Sequence, residues 1–230
     1  MDENVPVRNL LGCLLYIANM TRPDIAAAVN FLARHLHRPN RLVWKYGKHI
    51  LAYLKHTKHQ KLNIGHLDDS NLVCYVDANY ATPGDRKAQS GAILQFNGCS
   101  IGWFSKKQKT TSLSSTEAEY VALAAATKDV LWVQQLLNEL TVPVRLPTVL
   151  YEDNLPAIQI ANHQRNLSDT KHIDVKLHFL RDYCVKRFIA IHHVNTGDQL
   201  ADSLTKVMVN NRHIARMLGS TSSGAGGVSK

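Results

Sequence analysis

The chain has 230 residues, 45% hydrophobic and 20% charged, enough for one full domain plus a smaller one and too apolar for wholesale disorder. Its apolar runs fall short of the roughly 18 residues of a membrane span, and Met1-Asp2-Glu3-Asn4 lacks the basic and apolar regions of a signal peptide, which argues against membrane insertion and secretion. The net charge of +9 is lopsided, with 10 basic against 3 acidic side chains in residues 1–66 and 17 against 15 in residues 67–230, so a field that attracts phosphates or anionic membrane surfaces, nucleic acid being the commoner partner, or that merely solubilises, belongs to the N-terminal quarter.

Three helices are expected before residue 60. The first runs from about Val7 to Asn19 on a stripe of Leu10, Leu11, Leu14 and Leu15. Thr21-Arg22-Pro23-Asp24 stops it and starts the next, because Pro suits a first helical turn and Asp favours its positive end. Ile25, Val29, Leu32 and Leu36 then repeat at the spacing of one buried helical face. The third helix, about Leu42 to Thr57, puts Val43, Ile50 and Leu54 on one face and Lys45, Lys48, Lys55 and His59 on another. Beside Trp44, Tyr46 and Tyr53 these lysines form either a track along a nucleic-acid backbone or a solvated face over core aromatics.

After Gly65 the texture changes. Leu72–Val76 reads as a strand buried on both faces and closing on Asp77. Ser90–Phe96 and Ser100–Ser105 flank Asn97-Gly98, the preferred pair for a tight hairpin. Ser114-x-x-Glu117 and Thr116-x-x-Glu119 are overlapping capping boxes that open a long Ala/Leu-rich helix reaching about Glu139. Thr148–Tyr151 is a second strand closing on acids, Glu152-Asp153, and Asn154 and Pro156 start a short helix. A helix over Lys171–Val185, a strand over Phe188–Val194 and a helix over Gln199–Val207 complete a mixed sheet with helices on its faces.

Cys13, Cys74, Cys99 and Cys184 are scattered, with no CxxC pair, and none of the 12 histidines has another four residues on. Neither a zinc site nor a disulfide framework follows. The acids are more telling: Asp77 and Asp153 close two strands, Glu119 lies in the first turns of the helix between them, and Asp202 belongs to the last helix. Gathered carboxylates must bind protons or share hard cations, and an all-oxygen set favours Mg²⁺ or Mn²⁺. Glu117 and Glu119 lie about 160° apart on the helical wheel. Glu119 shares a face with Ala122, Leu123, Ala126 and Val130, so it is the one expected over the sheet, leaving Glu117 to the Ser114 cap.

Several motifs are now recognisable together. Tyr75-Val76-Asp77-Ala78-Asn79-Tyr80-Ala81, Asp85-Arg86-Lys87-x-x-Ser90-Gly91, Ser105-Lys106-Lys107-Gln108, Ser114-Ser115-Thr116-Glu117-Ala118-Glu119-Tyr120, Glu152-Asp153-Asn154, Lys171-His172-Ile173-Asp174 and Gln199-Leu200-Ala201-Asp202-Ser203-Leu204-Thr205-Lys206 closely resemble the ribonuclease H domain of copia-type retrotransposon Pol polyproteins. Arg8-Asn9-Leu10-Leu11-Gly12, Thr21-Arg22-Pro23-Asp24-Ile25 and Trp44-x-x-x-Lys48 through Lys55 resemble the end of the reverse transcriptase, its thumb and connection. The resemblance runs in family order over residues 6–208.

That resemblance implies an α/β, ribonuclease H-like, mixed five-stranded sheet flanked by helices, behind a small basic three-helix segment. Residues 1–66 are expected to be the helical remnant, 67–210 the ribonuclease H-like domain and 211–230 a disordered tail. The implied activity is hydrolysis of the RNA strand of an RNA·DNA hybrid with two Mg²⁺ or Mn²⁺ ions. Asp77 would bridge both ions, Glu119 and Asp153 would complete one side each, and Asp202 would hold the second. Ser90, Gln108, Ser114 and Thr116 are expected to touch the nucleic-acid backbone, and recognition to rest on the 2′-hydroxyl and hybrid shape.

Asn79 departs from the family's usual Asp-Ala-Asp, at a position that is not a mapped ligand, and the connector Asn195-Thr196-Gly197-Asp198 carries no loop histidine. No Tyr-x-Asp-Asp motif precedes residue 66, so no polymerase activity is expected of this chain alone. The expectation is thus a C-terminal Pol fragment, cytoplasmic in a virus-like particle or nuclear, with the hybrid and the rest of the reverse transcriptase as partners. The rival reading is a catalytically silent nucleic-acid-binding remnant.

Overall fold

In the computed structural model, which describes residues 5–65, 70–80, 87–162, 171–207 and 211–219, the three N-terminal helices form close to their expected bounds. They are α1 (Val7–Met20), α2 (Ala26–Ala33, entered through a 3-10 turn over Pro23–Ile25) and α3 (Arg41–His56). The Asn40 side chain caps α3 by accepting from the Val43 N–H at 3.0 Å, the ordinary role of Asn at that position. Helix α2 is shorter than its apolar period suggested, and Leu36 lies beyond it, only partly buried. The α1–α2 corner is locked to the end of α3 by a buried polar knot. There the Arg22 guanidinium pairs with Asp24 at 2.6 Å and donates to Thr57 Oγ1 at 2.7 Å, while Tyr53 Oη donates to Asp24 at 2.8 Å.

Five strands follow: β1 (Leu72–Asn79), β2 (Gln89–Phe96), β3 (Cys99–Lys107), β4 (Thr148–Glu152) and β5 (Ile189–His193). Their order in the sheet is β3-β2-β1-β4-β5, antiparallel across β3, β2 and β1 and parallel across β1, β4 and β5. Asn97 and Gly98 take φ values of 52° and 77°, the left-handed pair that a two-residue hairpin turn needs. Helix α4 (Ser115–Glu139) lies across one face, with α5 (Leu155–Asn162) and α6 (Lys171–Val185) packed against it.

Strand alternation divides the core in two. Cys74, Val76, Ala92 and Leu94 turn toward α4. Tyr75 and Ile93 turn the other way, into a second cluster with Leu11, Leu14, Val29, Val43 and Ile50 of the N-terminal helices. Trp103 of β3 fastens that layer by donating its indole N–H to the Ala18 carbonyl at 2.7 Å. The architecture is the mixed five-stranded sheet flanked by helices that the motifs implied, and the basic helical segment forms one of its covering layers.

Two expectations near the C-terminus fail. The helix expected over Gln199–Val207 shrinks to the four-residue α7 (Asp202–Thr205), preceded by a 3-10 turn at Thr196–Asp198, because the fully buried Gln199 side chain is spent bridging strands instead of lying on a helix. The tail expected from residue 211 begins with α8 (Asn211–Met217), whose Ile214 and Met217 are buried together with Leu218. Asn63 N–H donates to the Leu218 carbonyl at 2.8 Å. The expected disordered stretch beyond Gly219, and the motif residues Asp85 and Arg86, lie outside the described residues. Helix α7 comes down hard on β2 at Gly91, where a Cβ would fall 2.8 Å from both Leu204 Cβ and Thr205 Cγ2. Among the described residues no helix is long and apolar enough to cross a membrane.

Candidate active site

The site lies where the parallel pair β1 and β4 comes apart. Their register ends at Tyr75 opposite Tyr151, and the Gln199 amide fills the gap, donating to the Val76 carbonyl at 2.8 Å and the Tyr151 carbonyl at 3.3 Å. A polar wedge under diverging strand ends is a place where sheet folds of this kind collect ligands. One or two residues further on, Asp77 on β1, Asp153 after β4 and Glu119 in the first turns of α4 bring carboxylate oxygens within 4.8 Å of one another. Three of the four expected acids therefore meet.

Burial sets the electrostatics of this group. Asp77 is 4% exposed and Glu119 6%. Desolvation pushes the Asp77 carboxyl up to about 6, against the pull of a hydrogen bond from Thr205 Oγ1 and the charge of Lys206. Glu119 is held well above the usual carboxylate range by burial first, then by the charges of Glu152, Asp77 and Asp153, against a backbone hydrogen bond from Ala78. Asp153 is half-buried and accepts from Thr196 Oγ1 at 2.9 Å.

Glu152 is the acid that sequence reasoning left without a role. It closes β4 on the face of Thr148 and Leu150 and is fully buried. Its Oε1 accepts from the Asn154 N–H at 3.1 Å, and burial followed by the charges of Asp77 and Asp153 raises its pKa. The signal was present in strand alternation, since an acid two residues from a core leucine on a β-strand shares its face. Glu119 Oε2 and Glu152 Oε2 are both buried without a hydrogen-bond partner, an expensive condition for a carboxylate in the absence of a cation. An all-oxygen donor set with buried oxygens left over fits a hard divalent ion.

Asp202 stands beside this group and outside its 4.8 Å circle. Its carboxylate is ion-paired to Lys206 one helical turn on, and its charge still reaches Asp77. Thr205 and Lys206, both in the motif that drew attention to Asp202, thus bear on Asp77 through a hydrogen bond and a charge.

The expected backbone-contact residues sort into internal and exposed ones. Gln108 Nε2 donates to Ser90 Oγ at 2.9 Å and to the Ala118 carbonyl at 2.8 Å, and its Oε1 accepts from Ser112 at 2.9 Å. Ser90 and Gln108 are therefore a buried bracket joining β2 to the start of α4, not surface donors. Ser114 is exposed and caps α4, accepting from the Glu117 N–H at 3.1 Å, whereas Glu117 accepts from Leu113 N–H and not from Ser114 itself. Thr116 is half-buried in the first turn. Lys45, Lys48 and Lys55 are all exposed on α3, with Lys48 Nζ 5.6 Å from the Trp44 ring centroid. Of the neighbouring aromatics Tyr46 is exposed, while Tyr53 belongs to the Arg22–Asp24 knot.

No protein-family model matches the chain. Over 209 residues, 90% of its length, it is 37% identical to the retrovirus-related Pol polyprotein from transposon TNT 1-94 of Nicotiana tabacum, of which it spans only 16%. It is also 40% identical over 134 residues, 57% of the chain, to secreted RxLR effector protein 161 of Plasmopara viticola, covering 93% of that protein. Among solved structures, a foamy viral protease-reverse transcriptase in complex with RNA/DNA hybrid is similar over 83% of this chain and 24% of that one, with a TM-score of 0.49 and 16% identity.

Proposed function

This chain belongs to the copia-type retrotransposon Pol polyproteins, and from that premise we propose that it is a metal-dependent ribonuclease H cutting the RNA strand of RNA·DNA hybrids. The observation that carries the reading is the convergence of Asp77, Glu119 and Asp153 on one point at the ends of β1 and β4. Divalent ions bound there would lower the pKa of an attacking water and neutralise the charge that develops on the leaving 3′ oxygen.

The residues of the chain divide the remaining work. Asp77, with Thr205 donating to it, is the oriented centre of the acid group. Glu119 and Glu152 bring buried oxygens that no protein donor satisfies, so cation binding relieves a penalty already present in the fold. Asp153 sits at the open side, where Thr196 fixes one of its oxygens. Asp202, whose carboxylate is ion-paired to Lys206 beside this group, would hold a second cation. In this reading the helices before residue 66 are the end of a reverse transcriptase thumb and connection.

The test is cleavage of a labelled RNA·DNA hybrid with Mg²⁺ or with chelator. Asp77→Asn is expected to cut at least about 10³-fold more slowly while binding the hybrid in chelator within about twofold of wild type, because the change removes charge from the metal group and not from the cationic surface. Wild-type rates from that variant would sink the site. Hybrid binding by the native chain with no metal-dependent cutting would favour a silent binding remnant.

A further inference from the structure

A groove of about 610 Å³ runs between β3, α4 and α6, on the α4 side of the sheet. Its floor is Val121, Ala124 and Ala125 of α4, and its walls include Phe104 and Phe179. Among the described residues, five lysines, Lys106, Lys107, Lys109, Lys128 and Lys176, line it with one acid, Asp129. Two ammonium groups are carried over the aromatic walls: Lys106 Nζ lies 5.0 Å from the Phe104 centroid and Lys128 Nζ 5.8 Å from that of Phe179.

The acids themselves do not line the groove, but one end of it is formed by residues tied to their immediate chain neighbours. Ser90 and Gln108 line it; Ser90 pairs with Ala78, the neighbour of Asp77, and Gln108 bonds the carbonyl of Ala118, the neighbour of Glu119. A cluster of carboxylates repels a polyanion, so positive charge beside it is what holds one there. The lysines of α3 lie in the layer on the other sheet face, where α3 packs on α1 and α2.

We propose that this lysine groove is a binding track for the phosphodiester backbone of a nucleic-acid strand that continues past the carboxylate site. The chemistry suits a backbone rather than bases. Lysine is a mobile point charge for phosphate oxygens, and the apolar floor faces sugars without asking for hydrogen bonds. The inference rests on the reading that the acid group acts on nucleic acid, and it locates the main anchoring surface on the α4 face instead of on α3.

The experiment is fluorescence anisotropy of a labelled RNA·DNA hybrid titrated with the full chain in chelator, over a range of KCl. Lys109→Glu/Lys128→Glu/Lys176→Glu is expected to weaken binding by about tenfold or more and to flatten the log–log salt slope by about 2 to 3. Lys45→Glu/Lys48→Glu/Lys55→Glu on α3 is expected to do less. Should the triple groove variant lose its native circular dichroism, Lys128→Gln/Lys176→Gln gives the same reading with a slope change of about 1 to 2. Affinity and slope within about twofold of wild type, or loss confined to the α3 variant, would overturn the groove. So would displacement of the hybrid from the groove lysines by an acidic peptide at equal charge concentration. A native chain that binds through the groove and cuts nothing in Mg²⁺ would leave the track standing and remove the nuclease.

Discussion

Two buried acidic regions of this molecule are built on opposite principles. At the α1–α2 corner Asp24 is matched at once by Arg22 at 2.6 Å and by the Tyr53 hydroxyl at 2.8 Å, and burial together with Asp24 drives the Tyr53 phenol up to about 12. At the ends of β1 and β4, Asp77, Glu119 and Glu152 are buried with one threonine, backbone donors and a partly exposed lysine for support, and two oxygens go unsatisfied. The first region is complete within the chain, and its charge is structural. The second is in deficit, and a deficit retained inside a stable core marks a place that something else completes.

Removing the partner from the complete region is expected to give the largest effect on stability. Arg22→Ala leaves Asp24 buried without its cation and should lower unfolding free energy by about 3–5 kcal/mol, read from the urea midpoint. The unfinished region should respond to pH and metal instead. Because burial raises Asp77 from 3.8 to about 6, the folded chain holds that proton more tightly than the unfolded one. The resulting stability is present below the unfolded value and is lost as pH rises through the folded value. In chelator the wild type should therefore lose about 2–3 kcal/mol relative to Asp77→Asn between about pH 4 and pH 6.5, and saturating Mg²⁺ should return most of it; thermal melts of both proteins check this. A chelator profile equal to that of Asp77→Asn would mean the deficit is not real.

The smallest effect sharpens the contrast by its sign. Glu152→Gln removes one of two buried carboxyls whose charges repel and supplies a neutral amide in its place. In chelator it should stabilise the chain by about 1 kcal/mol, as exchange of an uncompensated buried charge for a hydrogen-bonded neutral group does. The same denaturation series with Mg²⁺ should show less metal stabilisation than wild type. Destabilisation in chelator would place Glu152 with Asp24, among charges that hold the fold together.

Much of this was legible along the chain because the signals were local. Helix α4 begins at its Ser114 cap, the Asn97-Gly98 turn separates β2 from β3, and Lys171–Val185 forms α6 over the expected span. Capping, turn preference and periodicity act within a few residues and need no partner from elsewhere. The α4 wheel also placed Glu119 and not Glu117 over the sheet, since that choice depends only on which helical face is apolar.

The misses share a different cause. Gln199 and α7 could not be placed because the contacts that decide them come from strands distant in the chain, Tyr151 lying 48 residues from Gln199 and Val76 123. Residues 211–217 read as tail because their burial depends on a surface that α3 and the segment around Asn63 create. Ser90 and Gln108 carried the right residue types for a ligand yet are consumed by each other. From the sequence alone came the elements up to β5, the family and the acids worth watching, because residue type, spacing and order are local properties. Tertiary structure alone decided that Asp202 stands outside the circle of the other three acids, that the Glu152 carboxyl comes close enough to feel their charges, and that lysines from three separate elements line one groove, because distance across a fold is set by packing between elements and not by position along the chain.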